Sequence, residues 1–295
     1  MKKILVTGAN GFIGKSVTRR LMEGHSVDVY CRELKKSDPS FITDNQLDLN
    51  ILVSPCRDVI YDYVINCIAC SDTSSEDWDS LYDANCNTTN KLIANLNFKN
   101  FVQLSSFSIY SKYSISAGTA DPQNFYGLSK FVSEKLLEIN ASEDKKFIIL
   151  RMPIVIGSSK NQSDIVSYLY KSLIDNKTVN LFNDGKYLRN IIHVNEVAES
   201  VNELVTRSKI TEEYCSINLN SSNTMSVFEI CRYMKDKLNS ESKIQFIDKP
   251  SANDFDSLVV TTSQIIDGYE CKSCSQSIDC FLEEMNFARK KSEVS

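Results

Sequence analysis

Short apolar runs alternate along the chain with longer stretches whose apolar residues recur every three or four positions. Ile4-Leu5-Val6 is long enough for one buried strand. Lys15 to Glu23 follows as a helix, with Val17, Leu21 and Met22 for an apolar face. Val27 to Tyr30 and Gln46 to Leu49 read as the next two strands. Asp62 to Cys70 contains a fourth, Tyr63-Val-Ile-Asn-Cys-Ile-Ala69, apolar and β-branched as a strand covered on both faces should be. Trp78 to Leu96 reads as a long helix, with Leu81, Ala84, Thr88, Leu92 and Leu96 near helical spacing. Phe101 to Ser105 and Phe147 to Leu150 complete the strands. Between them Phe125 to Asn140 forms a helix with Phe131, Val132, Leu136, Leu137 and Ile139 as its apolar stripe. Strands and helices in this rhythm predict an α/β fold with a parallel, doubly wound sheet. From Gly157 onward the rhythm breaks into shorter, more polar elements. Residues 1–156 are therefore expected to form a sheet domain. Residues 157–295 form a smaller domain facing the carboxyl ends of its strands, with a segment near 187–205 returning to the sheet.

The turn after the first strand narrows the chemistry. Gly8, Gly11 and Gly14 fall between that strand and its helix at spacings of three. Glycine opens backbone angles that other residues avoid, and its missing Cβ lets a pyrophosphate approach the main chain. The helix N-terminus then offers free N–H groups and partial positive charge to that anion. Gly8, Asn10, Gly11, Phe12, Ile13 and Gly14 are the candidate dinucleotide contacts. Many such folds place an acid after the second strand to hold ribose hydroxyls. This chain has Cys31 and Arg32 there. Arg32 suits a 2′-phosphate, which favours NADP over NAD, with NAD as the alternative. Asp48, with Leu49, is placed to meet the adenine. Cys67, Ile68 and Ala69, at the end of the fourth strand, face the nicotinamide end.

Two further stretches carry reactive groups. Leu104-Ser-Ser-Phe-Ser-Ile-Tyr110 places hydroxyls past a strand's carboxyl end, where the ligand crevice opens. Tyr126-Gly-Leu-Ser-Lys130 puts a phenol and an ammonium four residues apart on one helical face. The ammonium is expected to favour the phenolate and lower the tyrosine pKa toward neutrality. Such a phenol exchanges a proton with a carbonyl or alcohol oxygen, a serine fixes that oxygen, and a nicotinamide exchanges hydride with the adjacent carbon. Tyr-x-x-x-Lys alone is a weak signal, since Tyr233 and Lys237 show how readily such pairs arise. Its force comes from following the glycine turn and the serine-rich strand end in order.

Composition removes other readings. The chain has 295 residues, 24% of them charged, and a net charge of −5, which argues against a nucleic-acid partner. No apolar run reaches the ~18 residues of a membrane span, and the N-terminal apolar run is too short for a signal peptide. A cytoplasmic protein with no membrane partner is expected. Ten cysteines with only His25 and His193 give no zinc spacing, and no metal site is expected. Of the two C-x-x-C pairs, Cys271 and Cys274 are expected in a polar surface connection.

In this order the motifs resemble those of the extended short-chain dehydrogenase/reductases, specifically the nucleotide-sugar epimerase/dehydratase group. The matching pieces are Thr7-Gly-Ala-Asn-Gly-Phe-Ile-Gly14, Asp48-Leu49, Asn85, Ser105-Ser106 before Ile109-Tyr110, Tyr126-x-x-x-Lys130, Arg151 with Gly157, and Gly185-x-x-x-Arg189-x-x-Ile192-His-Val-Asn-Glu-Val-Ala198. They span residues 1 to about 200, with the glycine and Tyr-x-x-x-Lys motifs most diagnostic of the cofactor class. The resemblance implies a Rossmann sheet with a smaller C-terminal α/β substrate domain. It assigns Ser106 as the catalytic hydroxyl, Tyr126 as the acid/base and Lys130 as the partner of both Tyr126 and the nicotinamide ribose. It makes Asn85 a structural residue of the long helix. Ser71, Ser106, Ser108 and Arg189 become substrate contacts, with Arg189 on the diphosphate of a nucleotide-sugar. It also implies a homodimer formed through the helices near 78–96 and 125–140. His193, within an apolar run, reads as a satisfied core residue.

Departures from the family pattern refine the expectation. Ile154 stands where an asparagine often contacts the nucleotide-sugar, and Ser111 replaces the glycine after Tyr110. Phe107-Ser108 replace the Asp-Glu pair of 4,6-dehydratases. The chain is also shorter than typical epimerases. These features, with Arg32, lead to NADPH-dependent reduction of a 4-keto sugar nucleotide. The alternatives are a 4-epimerase with tightly held NAD, a reductase of a non-nucleotide carbonyl compound, and a non-catalytic dinucleotide sensor.

Overall fold

The computed structural model describes residues 1–31, 56–111, 118–158, 164–207, 210–248 and 269–294. Arg32, Asp48, Leu49 and the strand expected at 46–49 lie outside the described residues. The first strand, β1 (Lys3–Thr7), alternates its side chains between two cores. Ile4 and Val6 join one buried cluster and Leu5 joins another. Helix α1 (Phe12–Met22) lays Val17 and Leu21 onto the first of these. Strand β2 (Ser26–Tyr30) pairs with one edge of β1, and β3 (Cys56–Asn66) pairs with the other. The sheet continues through β4 (Leu96–Ser106) and β5 (Lys146–Met152), all parallel.

Between β3 and β4 the chain runs as α2 (Trp78–Tyr82), a π-helical turn at Asp83–Asn87, and α3 (Thr88–Asn95). Helix α4 (Phe125–Ile139) connects β4 to β5. The second core holds Leu92, Phe101, Leu137, Phe147 and Ile149, so α3 and α4 cover the face opposite α1.

Past β5 the chain builds β6 (Ile154–Ile156), α5 (Ile165–Ile174), β7 (Val179–Phe182), β8 (Leu188–Arg189) and β9 (Ile191–His193). Helix α6 (Val194–Arg207) then returns to the sheet. Its Val197, Val201, Leu204 and Val205 join the cluster of α1. Strand β10 (Tyr214–Asn218) adds the sixth strand beside β5. The order is β10-β5-β4-β3-β1-β2. Strand order reverses between β1 and β3, which makes that gap the switch point where such sheets take a ligand. The remaining elements are β11 (Met225–Ser226), α7 (Val227–Leu238), β12 (Ile244–Ile247) and α8 (Cys274–Val294). Their apolar residues, with those of α5 and β7, form a separate core around Leu169, Ile230, Met234 and Phe281.

Several elements differ from the sequence reading. Helix α1 starts at Phe12, not Lys15, so Gly14 lies inside it despite its poor helix propensity. Strand β3 stops at Asn66, which leaves Cys67, Ile68 and Ala69 beyond its carboxyl end. The returning segment extends past 205 to Asn218, because β10 supplies the edge strand. Cys271 and Cys274 are 5% and 0% exposed, not on a polar surface connection. Cys271 joins the core under α1 and Cys274 joins the C-terminal core, each as a small apolar side chain does. Among the described residues no helix is long and apolar enough to cross a membrane.

Candidate active site

At the end of β1 the chain turns at Gly8, whose φ is 71°. Gly8 N–H donates to the Tyr30 carbonyl at 2.8 Å, and Gly11 N–H donates back to the Gly8 carbonyl at 2.9 Å. A Cβ on Gly14 would lie 2.1 Å from the Gly8 oxygen, so only glycine lets α1 start this close to the strand. Gly11 is the N-cap, no side chain caps the helix, and its first turn carries no acid. The helix therefore presents bare amides and uncancelled positive dipole, which fits a pyrophosphate. Cys67 N–H donates to the Thr7 carbonyl at 3.0 Å, bringing Cys67, Ile68 and the exposed Ala69 beside the same turn. These residues would hold a dinucleotide across the switch point.

A buried polar chain leads from this turn toward the middle of the sheet. Thr7 Oγ1 donates to Asn66 Oδ1 at 2.7 Å, and Asn66 Nδ2 donates to Gln103 Oε1 at 2.9 Å. Gln103 Nε2 donates to the Leu104 carbonyl at 3.1 Å, and Lys130 Nζ donates to that same oxygen at 2.6 Å. The carbonyl uses both lone pairs. Lys130 is 1% exposed. Burial pushes its ammonium down to about 8, opposed chiefly by the Glu134 carboxylate.

Ser106 ends β4 and caps the single helical turn Phe107–Ile109, where its Oγ accepts from Ser108 N–H at 3.1 Å. The Ser106 hydroxyl also donates to Ser108 Oγ at 3.2 Å and engages the Tyr126 phenol. Tyr126 comes this near because α4 packs its first turn on residue 108. A Cβ on Gly127 would sit 2.0 Å from the Ser108 carbonyl oxygen. Asn124 Oδ1 caps the helix by accepting from Gly127 N–H at 2.7 Å. Ser106, Tyr126 and Lys130 are thus gathered at the carboxyl edge of β4. The direction of tyrosine tuning differs from the sequence expectation. Burial pushes the Tyr126 phenol above its ordinary value, and the bond with Ser106 only partly offsets that. The Lys130 ammonium is engaged by the Leu104 carbonyl.

Asn85 lies in the π-helical turn. Its Oδ1 accepts from Cys70 N–H at 2.9 Å, and its Nδ2 donates to the Cys70 carbonyl at 3.0 Å and to Ser129 Oγ at 2.8 Å. One side chain therefore fixes the loop after β3 against the helix that carries Lys130.

The inward face of α4 is not the apolar stripe read from its sequence. Tyr126, Ser129, Lys130, Ser133, Glu134 and Leu137 are buried, whereas Ile139 is 80% exposed. Polar groups occupy the interior because each has a partner there. Glu134, 1% exposed, accepts from Ser105 Oγ at 2.5 Å and from Arg151 Nη2 at 2.7 Å. Arg151 Nη1 donates to Tyr110 Oη at 2.7 Å, and Tyr110 Oη donates to Asn218 Oδ1 at 2.9 Å. Sequence reasoning missed Glu134, Gln103 and Asn218. For Glu134 the available signal was its position one turn past Lys130 and two past Tyr126, on their stripe.

The predicted substrate contacts divide. Ser108 lies beside Ser106, and Ser71 is exposed on the loop after β3. Arg189 is on β8, paired with β11, where its Nη1 donates to the Leu188 carbonyl at 2.9 Å and its guanidinium stacks over Tyr187. Ile154 packs against the C-terminal core. His193 is buried, with Nδ1 accepting from Asn195 N–H at 3.3 Å. Its Nε2 faces Glu284 across 3.4 Å without an aligned hydrogen bond, so it is less fully satisfied than its sequence setting suggested.

A parallel sheet with a glycine turn at its switch point and a Ser–Tyr–Lys cluster at its carboxyl edge is the architecture of the extended short-chain dehydrogenase/reductases, a class of enzymes. Residues 4–219 match the model of the NAD dependent epimerase/dehydratase family, and the chain belongs to that family. The uncharacterized UDP-glucose epimerase YtcB of Bacillus subtilis is 24% identical over 276 residues, 84% of this chain and 85% of the relative. A UDP-N-acetylglucosamine 4-epimerase from Methanobrevibacter ruminantium, solved with UDP-N-acetylmuramic acid, superposes with a TM-score of 0.82 at 17% identity. A UDP-glucuronic acid 4-epimerase from Bacillus cereus, solved with UDP-glucuronic acid and NAD, gives 0.79 at 18% identity. Each structural match covers 97% of this chain and 99% of the other, so this chain is not short beside these epimerases. The expectation that the chain is shorter than typical epimerases does not hold against them.

Proposed function

We propose that the protein is an NAD(P)-dependent oxidoreductase of nucleotide-diphosphate sugars that works as a 4-epimerase. The observation that carries this reading is the gathering of Ser106, Tyr126 and Lys130 at the carboxyl edge of β4, where the first turn of α4 packs through Gly127 on Ser108 and Lys130 donates to the Leu104 carbonyl. A nicotinamide held there would accept the hydride from C4 and later return it. Tyr126, as the phenolate that the positive charge of a bound oxidised nicotinamide would favour, would take the proton from the sugar's 4-hydroxyl and return it after the 4-keto sugar has turned its other face. Ser106 holds that oxygen, and Ser108 supports Ser106. Lys130 holds the nicotinamide ribose. Arg189 pairs with the diphosphate, and Ser71 borders the sugar. In this reading the sheet and its returning segment bind the dinucleotide, and the remaining C-terminal elements bind the nucleotide-sugar. With the length argument gone, the end-to-end match to 4-epimerases supports epimerisation over reduction.

A second reading, NADPH-dependent reduction of a 4-keto sugar, draws on the absence of an acid at the end of β2. Buried Cys31 stands there, followed by Arg32. The protein is further taken to be a cytoplasmic homodimer. The nine cysteines other than Cys56 are free thiols, which suits a reducing compartment. The half-exposed stripe of Phe131, Val132 and Leu136 on α4 suits a partner helix.

The deciding experiment incubates the protein with UDP-glucose, UDP-N-acetylglucosamine and UDP-glucuronic acid in turn, and follows C4 configuration by proton NMR. Interconversion of C4 epimers without net NADH is the expected result. NADPH consumption with a 4-keto sugar nucleotide, and no epimerisation, selects the second reading. Inertness in both assays sinks both.

A further inference from the structure

The segment that carries Ser106 is gripped at both ends by one ion pair, the carboxylate of Glu134 buried and the guanidinium of Arg151 partly so. Ser105, immediately before it, donates to Glu134 Oε1. Tyr110, immediately after the helical turn, receives Arg151 Nη1 and lies under the guanidinium, 5.4 Å from its ring centre. Glu134 and Arg151 close on each other through Nη2–Oε2 at 2.7 Å, with Nε 3.2 Å from both carboxylate oxygens. Glu134 belongs to α4, the helix of Tyr126 and Lys130, whereas Arg151 belongs to β5. Asn218 of β10 holds Tyr110 from the far side.

We infer that the Glu134–Arg151 pair is a positioning clamp that sets the separation of Ser106 from Tyr126. This rests on the Ser–Tyr–Lys reading above. The geometry carries the inference because the two hydroxyls belong to different elements, β4 and α4. Strand and helix are joined near them by Ser105–Glu134, by Lys130 on the Leu104 carbonyl and by the Gly127 contact on Ser108. Of these, the pair is the one that reaches both sides of the helical turn. A paired, hydrogen-bonded carboxylate and guanidinium in the interior are also directional, since a small displacement strands a buried charge. Apolar packing would tolerate such a slip. Proton transfer is sensitive to that freedom: a misplacement of about 1 Å costs on the order of 100-fold in rate.

Glu134→Gln leaves the partly buried Arg151 without its counter-charge and could prevent folding. The double variant Glu134→Leu/Arg151→Met removes both charges at similar volume, a replacement that proteins often accept. Two readouts are taken on it. Amide hydrogen exchange of residues 105–110 needs no ligand, and the clamp predicts faster exchange there with β1 and α1 unchanged. Turnover of whichever UDP-sugar the wild type epimerises reads the consequence. A fall in kcat of roughly 100-fold is expected, with KM and dinucleotide affinity within about threefold of wild type. Unchanged exchange at 105–110 overturns the clamp, as does a kcat within threefold of wild type. So does a loss of protection spread evenly over the sheet, which marks a merely structural pair. Tyr126→Phe run alongside separates the two ideas. If it retains full turnover, the Ser–Tyr–Lys reading fails, whatever the exchange result.

Discussion

Around Gly8 to Gly14 the chain strips itself to backbone, while around Ser105 on β4 and the facing stripe of α4 it buries polar side chains in number. The glycine turn has no capping side chain and no acid in the first helical turn. Its recognition surface is a set of amides held by steric necessity. The second region holds Ser105, Ser129, Lys130, Ser133 and Glu134 in the interior, each placed by a partner from another element or from the helix itself. The difference suits two tasks. A pyrophosphate is satisfied by any well-aimed row of N–H groups. A proton transfer needs particular atoms at particular distances, and neighbouring side chains fix these.

Removing the phenol proposed to exchange the proton tests the second region alone and has the largest expected effect. Tyr126→Phe should lower kcat by about 1,000-fold and leave dinucleotide binding intact. A loss of binding equal to the loss of rate would erase the distinction between the regions. Next in size is a matched pair of insertions. Gly14→Ala and Gly127→Ala each place a Cβ near 2 Å from a carbonyl oxygen, at 2.1 and 2.0 Å. Each should cost ~2–3 kcal/mol in urea unfolding. Their functional damage should nonetheless separate, with dinucleotide affinity falling in Gly14→Ala and kcat in Gly127→Ala. Equal damage from both would show that the regions are not independent.

The smallest effect concerns charge. Lys130 titrates near 8 when folded, against an ordinary value of 10.5. Below pH 8 both the folded and the unfolded chain carry the proton, and folding bears the cost of burying it. Between about pH 8 and 10.5 the folded side chain releases its proton first. In the dinucleotide-free protein, wild type should therefore gain on Lys130→Met as pH rises, by up to ~1.4 kcal/mol per pH unit. Urea unfolding of both proteins at pH 7.5, 8.5 and 9.5 measures this, and a difference that stays flat counts against a buried ammonium.

The same contrast explains what the sequence could tell. Five of the six sheet strands and the glycine turn were legible because their signals are local: short apolar runs and glycines three apart. The Ser105–Tyr110 and Tyr126–Lys130 stretches stood out by order and spacing, and the fold brings them to one strand end. The inward face of α4 was not, because Ser129, Ser133 and Glu134 look like solvent-facing residues until their partners appear. Arg151 and Asn85 lie 17 and 44 residues away from Glu134 and Ser129. Strand β10 was missed for a related reason. Tyr-Cys-Ser-Ile-Asn at 214–218 has little to mark it, and only the return of α6 across the sheet brings it to the open edge of β5. The π-helical turn inserts a wider loop of backbone into an otherwise periodic run, and no apolar spacing announces it.

That late strand gives the protein a schedule. When Met152 leaves the ribosome, five strands of the sheet have been made, but β5 still presents an unpaired edge beside Phe147 and Ile149. Asn218, which braces Tyr110 and sits opposite Arg151, arrives only after the intervening C-terminal elements. At ~5–20 residues per second that interval lasts several seconds. Through it the nascent chain carries a sticky margin that invites pairing with a neighbour. A fragment ending at Met152 would keep that margin open, and translation through β10 is what covers it.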